Sequence, residues 1–141
     1  MARFGTMPTV SYLGISHRYP WELQDDLVYH SDILGKIRVP AGYCTDFASV
    51  PRLPLVYWLT GGRATLPAII HDLLYDARPD GVSRRQADRA FLEAMTCRRD
   101  PKRWVTRRAM YMGVRVGGAL AWRRDSSHKL DGLPPGPYVH A

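Results

Sequence analysis

The sequence predicts an α+β domain in which a small antiparallel β-sheet or meander, formed by the N-terminal third, packs against about three α-helices. Two observations lead to this prediction: short strand-like segments separated by Gly and Pro turns over residues 8–45, and helix-period apolar patterns from Thr65 onward. The length of 141 residues fits one domain and is too short for two of ordinary size. We assign this domain to residues 1–124, followed by an extended Pro-rich tail over residues 125–141.

The strand prediction rests on the order of polar and apolar side chains. The Leu-Val-Tyr segment at 27–29 has the composition of a strand core, and residues 36–39 alternate as a half-buried strand does. Gly35 and the Pro-Ala-Gly step at 40–42 supply turns on either side of the second segment. These features favour antiparallel pairing within the N-terminal third.

The first two helices are predicted from capping residues and apolar stripes. Thr65 can cap the first helix, which tolerates Pro67 in its first turn. Ser83 and Gln86 form a capping box that begins the second helix. The expected buried stripes are Leu66, Ile69, Ile70, Leu73, Leu74 and Ala77 in the first helix, and Ala87, Ala90, Phe91 and Ala94 in the second.

A third helix is predicted from about Asp100 and Pro101, a cap and a first-turn proline, to about Trp122. Gly113 and Gly117 lie four residues apart, which lets another backbone approach closely. The residues spaced for the buried side of this helix are Val105, Ala109, Met112, Val116 and Ala119.

Composition excludes several classes of protein. Hydrophobic residues make up 45% and charged residues 23%, which is typical of a globular domain and not of a disordered or fibrous chain. The longest apolar runs are too short to span a bilayer, and no secretory signal follows Met1, which predicts a cytoplasmic product. Cys44 and Cys97 form no CxxC pair, so we expect free thiols and no zinc site built on thiolates.

Positive charge is concentrated in the helical part. The net charge is +7, and residues 84–124 contain twelve basic residues against three acidic ones. Such a field favours polyanions: nucleic acid, anionic wall polymers or an acidic protein surface. We assign this role to Arg103, Arg107 and Arg108. The alternative is an arginine-rich helix face that only contacts solvent.

Two polar clusters combine acidic residues with a hydroxyl or an imidazole group. Asp46 and Ser49 lie three residues apart where the predicted sheet hands over to the helices. Their alternative role is to cap a local turn by accepting backbone hydrogen bonds. His71 and Asp72, with Tyr75 one turn later, are suited to metal binding or general acid–base chemistry. The alternative for this second cluster is a polar helix side that faces water.

A third polar pair, Arg84 and Asp88, has i, i+4 spacing on the second helix. This spacing is also that of an ordinary pair that stabilises a helix. No established catalytic signature such as GxSxG, HExxH or a phosphate-binding glycine loop occurs in the sequence.

Four segments together resemble a known family. They are residues 39–52 (VPAGYCTDFASVPR), 68–75 (AIIHDLLY), 83–95 (SRRQADRAFLEAM) and 110–122 (MYMGVRVGGALAW). Their order and separation resemble the tailed-phage and prophage proteins catalogued as domain of unknown function 1353. Cys44 departs from that pattern, because a plain apolar residue is expected there. The polar motif positions of the family fall on Thr45, Asp46, Ser49, Arg52, His71, Asp72, Tyr75, Arg84 and Asp88.

The resemblance implies a phage or prophage origin but brings no settled reaction. Combined with the three clusters, it leads to the hypothesis of a single polar site. A divalent metal ion there would take Asp46, His71, Asp72 and Asp88 as ligands and activate water. A metal-free version uses His71 as general base, oriented by Asp46 or Asp88, with Ser49 as nucleophile. Three further residues are assigned to substrate binding: Arg52, Tyr75 and Arg84. The alternative is a hydrogen-bonded network that only stabilises the fold.

Two functions follow from these observations. The first is a small phage-encoded hydrolase that acts on a cell-wall or other host polymer. The second is a non-enzymatic virion or tail-assembly component, or an adaptor for a host protein, whose polar cluster is structural. Expected partners are therefore a polymeric host substrate or other virion and tail proteins, in the bacterial cytoplasm or in the phage particle. Nucleic acid binding has the charge but no recognisable fold motif.

Overall fold

A computed structural model of the chain describes residues 1–45, 65–97, 104–124 and 127–140. Within these ranges the fold is α+β, as the sequence predicts, with six strands of two antiparallel sheets before the three α-helices and a seventh strand after them. Strands β1 to β6 comprise Arg3–Phe4, Val10–Tyr12, Trp21–Leu23, Leu27–Ser31, Gly35–Val39 and Cys44–Thr45, and β7 comprises Val139–His140. The helices are α1 (Thr65–Ala77), α2 (Arg84–Thr96) and α3 (Trp104–Arg123).

The larger sheet has the strand order β1-β4-β5-β7, and its centre is the β4–β5 hairpin. Leu27 pairs with Val39 and Tyr29 with Ile37, which confirms the predicted strands at these positions. These four side chains are fully buried and face the helices, while the alternate residues of β5 are exposed. The smaller sheet has the order β2-β3-β6 and ends at Thr45.

Glu93 of α2 connects the helices to the hairpin. One oxygen of its carboxylate accepts hydrogen bonds from the Tyr29 hydroxyl at 2.8 Å and the Ser31 hydroxyl at 2.7 Å. The other oxygen accepts the backbone amide of Asp32 at 3.0 Å. Ser31 in turn accepts amide hydrogen bonds within the turn that leads to Gly35, whose φ of 80° suits glycine. One acidic side chain therefore fixes the position of α2 relative to β4.

The core fills the space between the larger sheet and α1. The predicted stripe of α1 is buried from Leu66 to Leu74, and Ala77 at its end is half-buried. The predicted stripe of α2 is fully buried, and the predicted capping box of Ser83 and Gln86 is present. A second apolar cluster, which comprises Ala68, Phe91, Met95, Met110 and Val114, joins the three helices on the side away from the sheet.

The predicted buried stripe of α3 is wrong. Val105, Met112 and Val116 are 58%, 57% and 79% exposed, whereas the buried residues of this helix are Met110, Val114 and Gly118. The physical reason lies in the neighbouring helices, because Gly118 packs against the hydroxyl of Tyr75 and leaves no room there for a larger residue. This contact turns the predicted apolar stripe of α3, which includes Val105, Met112 and Val116, toward solvent.

Residues 127–140 of the tail lie on the chain itself. Leu130, Leu133 and Tyr138 pack against the main core, and β7 pairs with β5. Lys129 forms an ion pair of 3.2 Å with Asp76 of α1. Among the described residues, none of the helices combines the length and hydrophobicity needed to cross a lipid bilayer.

Candidate active site

Helix α1 places four polar side chains in the protein interior. Every residue from Leu66 to Asp76 is buried, because the sheet and the tail cover one side of α1 and the other two helices cover the other. His71, Asp72, Tyr75 and Asp76 are therefore at most 7% exposed. A polar side of α1 that faces water, which the sequence left open, is thereby excluded. Polar groups at such depth need hydrogen-bonding partners.

The centre of the site is an imidazole–carboxylate pair between α1 and α2. Nε2 of His71 lies 2.7 Å from Oδ1 of Asp88, and both side chains are fully buried. The hydroxyl of Tyr75, one turn after His71, donates to the same oxygen at 2.6 Å. The rings of Tyr75 and Phe91 lie 4.2 and 5.0 Å from the imidazole, so the pair is enclosed by aromatic surface.

Two arginines complete the surroundings of Asp88. Arg115 of α3 donates to Oδ2 at 2.8 Å, and Arg84, one turn before Asp88, lies 3.7 Å from the same oxygen. The guanidinium of Arg84 also donates to the backbone carbonyl of Arg115 at 3.0 Å, which connects α2 to α3. Both oxygens of Asp88 are thus occupied, Oδ1 by donors from α1 and Oδ2 by a donor from α3, with the Arg84 guanidinium of α2 at ion-pair distance.

The charge states follow from these contacts. Burial alone pushes the pKa of Asp88 upward, but the hydrogen bonds from His71, Tyr75 and Arg115 outweigh it, and the pKa lies below its ordinary value. Burial lowers the pKa of His71, against the opposing effect of Asp88. Burial and the hydrogen bond to Asp88 raise the pKa of Tyr75. At neutral pH the site therefore holds an ionised carboxylate beside a neutral imidazole.

These charge states fix the tautomer of His71. An ionised carboxylate can only accept hydrogen bonds, so the proton of the neutral ring resides on Nε2. Nδ1 then carries a lone pair. Within the described part of the chain, this buried Nδ1 has no hydrogen-bonding partner. A buried nitrogen left in this state is suited to accept a proton or to bind a cation.

Two other polar contacts of α1 involve different residues. Asp72 accepts a hydrogen bond from the hydroxyl of Thr45, the last described residue before the segment that carries Asp46. Oδ2 of Asp76 accepts a hydrogen bond from the hydroxyl of Tyr43 at 2.5 Å, and Nζ of Lys129 lies 3.2 Å from the same oxygen. Among the residues that the structure describes, no three His, Cys, Asp or Glu side chains lie together in a metal-binding arrangement.

Comparison with known proteins places the chain in a family. A family model described as a protein of unknown function, DUF1353, matches residues 21–114. The chain belongs to this family. The matched range contains the imidazole–carboxylate pair and ends one residue before Arg115. No curated protein and no solved structure matches the chain.

The sequence-predicted site residues of this DUF1353 chain fall into four groups. Those that the structure brings together are His71, Tyr75, Arg84 and Asp88. Asp72 lies at the separate contact with Thr45. Arg107 is half-buried and Arg108 is exposed on α3. Those outside the described residues are Asp46, Ser49, Arg52 and Arg103.

Sequence reasoning missed Arg115, which provides the shortest cationic contact to Asp88. A signal for it does exist, because Arg115 is the one charged residue in the otherwise apolar stretch from Met112 to Leu120. A charge in such a stretch often has a specific partner. Asp76 contacts Tyr43 and Lys129, which come from distant segments of the chain. No local pattern in the sequence predicts these two contacts.

Proposed function

We propose that the chain is a small phage-encoded hydrolase in which Nδ1 of His71 acts either as the general base or as a ligand of a divalent metal ion. The observation that carries this proposal is the His71–Asp88 pair at 2.7 Å, together with Nδ1 of the same ring, which has no hydrogen-bonding partner among the described residues. The phage origin rests on the family resemblance of the motif blocks.

Asp88 has an orienting role in this proposal. Its two oxygens already receive hydrogen bonds from His71, Tyr75 and Arg115, so they have little capacity left for a metal ion or a substrate. A carboxylate that accepts a hydrogen bond from the Nε2–H group holds the imidazole in one tautomer and raises the basicity of Nδ1, the opposite ring nitrogen. This arrangement supports proton transfer at Nδ1 of His71.

The nucleophile and a metal ion are the parts of the proposal that depend on the motif after Thr45. In one version, Nδ1 of His71 and the carboxylates of Asp46 and Asp72 would hold a divalent cation, which would supply an activated water. In the other, Nδ1 takes the proton of the Ser49 hydroxyl as its oxygen bonds to the substrate, and this proton passes to the leaving group when the scissile bond breaks. Water then hydrolyses the covalent intermediate and restores Ser49. The contact between Thr45 and Asp72 supports both versions, because it anchors the start of that motif against α1 next to His71.

The proposed substrate is an anionic polymer of the host, such as a cell-wall polymer. Support comes from the twelve basic residues against three acidic ones over residues 84–124. Arg107 and Arg108 of α3 belong to this basic region. Arg52, Tyr75 and Arg84 remain proposed binding residues.

The test combines activity with elemental analysis. Purified chain is incubated with isolated cell wall, anionic wall polymer and nucleic acid, and released products are quantified with and without chelator. We expect hydrolysis of one anionic polymer that falls by roughly 100-fold in His71→Gln, in the range usual for loss of a general base. Bound metal that disappears in Asp46→Asn supports the metal version, and activity resistant to chelator supports the Ser49 version.

A structural variant is needed as control, because His71 is fully buried. Tyr29→Phe removes one part-buried donor to Glu93 and leaves His71, Tyr75 and Asp88 intact, so we expect it to lower stability while it retains most activity. If the wild-type chain hydrolyses none of the polymers and contains no metal, and His71→Gln only lowers the melting temperature, the hydrolase proposal is wrong.

A second function is favoured by the exposed apolar residues of α3. A virion or tail-assembly component, or an adaptor for a host protein, needs an apolar surface that the chain itself leaves open. Val116 and Leu120 are 79% and 67% exposed. Under this alternative the pair of His71 and Asp88 only stabilises the packing of the helices.

A further inference from the structure

We infer that the outer face of α3 is a docking surface for an acidic amphipathic helix of another protein. This surface, termed here the outer stripe, comprises Val105, Ala109, Met112, Val116 and Ala119, with Leu120 beside it. It is independent of the proposed hydrolase site, because its residues lie on the side of α3 opposite to the buried Met110, Val114 and Gly118.

Exposure is the first observation. Val105, Met112, Val116 and Leu120 are each more than half exposed, and Ala109 is exposed as well. On a helical wheel, Val105, Met112 and Val116 point directly away from the buried residues, so apolar side chains occupy the centre of the solvent face. In an isolated domain this position is normally polar. Contiguous apolar surface of this kind marks an interaction site.

Spacing is the second observation. The residues of the outer stripe are separated by steps of four, three, four and three, which is the 3.5-residue repeat of a coiled-coil seam. The five residues of the outer stripe are Val, Ala, Met, Val and Ala in chain order, and Gly113 and Gly117 lie along one edge of this stripe. Small residues at these positions let a second helix approach closely. Insertion into a membrane relies instead on large side chains across a broad face, which favours a helix over a lipid surface.

Charge identifies the kind of helix. The segment from Trp104 to Arg123 contains four arginines and no acidic residue. Arg108 is exposed beside the outer stripe, at a position that contacts the flanking residues of a partner helix, and the exposed Arg123 is the next position of the repeat after Ala119. A second copy of α3 has the same arginines and no carboxylate to pair with them. A second copy therefore brings like charges together, whereas a helix with Glu or Asp beside its apolar seam is complementary.

The experiment selects partners by their chemistry. A displayed library of 21-residue helices with Leu and Ala at the seam, and Glu, Lys, Gln or Ala at the flanking positions, is selected on the full chain and on Val116→Glu. We expect enrichment of helices with Glu at the flanks on the wild-type chain only. The purified winning peptide should bind at least about 10-fold more weakly to Val116→Glu, since the variant places an uncompensated charge in an apolar seam.

The control is Ser16→Glu, which adds the same charge at an exposed residue distant in sequence from α3. It should bind the peptide like the wild type, and circular dichroism should show equal helicity for all three chains. No enrichment, enrichment without a preference for Glu, or binding that Val116→Glu leaves unchanged would overturn the inference.

Two further measurements separate the other occupants. Sedimentation of the chain with vesicles containing anionic phosphatidylglycerol tests the membrane, and light scattering at increasing concentration tests self-association. We expect neither. Vesicle binding or dimerisation that Val116→Glu abolishes would assign the outer stripe to lipid or to a second copy, and the acidic-helix inference would be wrong.

Discussion

Helices α1 and α3 depart from the usual distribution of side chains in opposite directions. Helix α1 carries His71, Asp72 and Asp76 in the interior, whereas α3 exposes Met112 and Val116. The two are coupled, since the orientation that lets Arg115 reach Asp88 and lets Gly118 accommodate Tyr75 also turns the apolar side of α3 outward. A buried polar network can therefore determine which face a neighbouring helix exposes, even when the exposed face carries more apolar residues than the buried one.

The strongest test of this comparison is removal of Asp88. Asp88→Ala leaves Arg115, Tyr75 and His71 without their common acceptor, so we expect a loss of about 3–5 kcal/mol in the free energy of unfolding. Denaturant titration measures the loss. Asp80→Ala, at an exposed turn residue, should change stability by less than about 0.5 kcal/mol. A loss below about 1 kcal/mol in Asp88→Ala would show that the network contributes little to helix packing.

A pair of adjacent glycines tests the contact between α3 and α1. A Cβ at Gly118 would overlap the hydroxyl of Tyr75, whereas a Cβ at Gly117 meets no atom within 4 Å. We expect Gly118→Ala to cost about 1–3 kcal/mol, as overpacking does. Gly117→Ala should stabilise the chain by up to about 1 kcal/mol, the helix preference of Ala over Gly.

Tyr75→Phe sharpens this glycine test, because it removes the hydroxyl that Gly118 accommodates. In the double variant Tyr75→Phe/Gly118→Ala, the cost of the alanine should fall to less than half of its value in the wild type. Thermal unfolding of the four chains measures this coupling. Equal costs in the two backgrounds would mean that Gly118 packs against something other than the hydroxyl.

Acid should weaken the fold through His71. Its pKa is lowered in the folded state, so below the ordinary value of 6.5 the unfolded chain takes up a proton that the folded chain refuses. Stability from this group is complete above pH 6.5 and decreases as the pH falls, by at most about 1.4 kcal/mol per pH unit. Asp88, whose pKa is also lowered, adds its own loss only below its ordinary value of 3.8.

The measurement is the free energy of unfolding between pH 7.5 and about pH 5, in the wild type and in His71→Gln. Glutamine keeps an amide donor for Asp88 but cannot be protonated, so the variant should have a shallower dependence on pH. The same slope in both chains would assign the acid sensitivity to other groups.

The smallest expected effect is on the outer stripe itself. Val116→Ala should change stability by less than about 0.5 kcal/mol because Val116 is exposed. The matched change Val114→Ala, at a fully buried position of the same helix, should cost about 1–3 kcal/mol. A cost above about 1 kcal/mol for Val116→Ala would show that residues of the chain itself cover the outer stripe, and the difference between α1 and α3 would disappear.

Much of the fold could be predicted from the sequence because its signals are local. The alternation at Lys36–Val39, the capping box of Ser83 and the stripe of α2 each follow from residues within one or two turns. The buried side of α3 could not be obtained in this way. Apolar spacing identifies two candidate faces on that helix, and only the contacts of Arg115 and Gly118 with other helices decide between them.

The candidate site shows the same division between local and distant information. The i, i+4 relations of His71 with Tyr75 and of Arg84 with Asp88 are visible in the sequence. The pairing of His71 with Asp88 across 17 positions is not, and because of it the proposed function gives Asp88 an orienting role in place of the predicted role as a metal ligand. Occupancy of both carboxylate oxygens is a property of three helices packed together.

The C-terminal strand has a consequence for the colloidal behaviour of the protein. Strand β7 pairs with β5 and covers an edge whose unpaired amides and carbonyls would otherwise offer a template to strands of other molecules. At the opposite edge, β1 is only two residues long and includes Arg3. The margins of the larger sheet are thus the two-residue strands β1 and β7, each too short to offer much of an edge to the strands of other molecules.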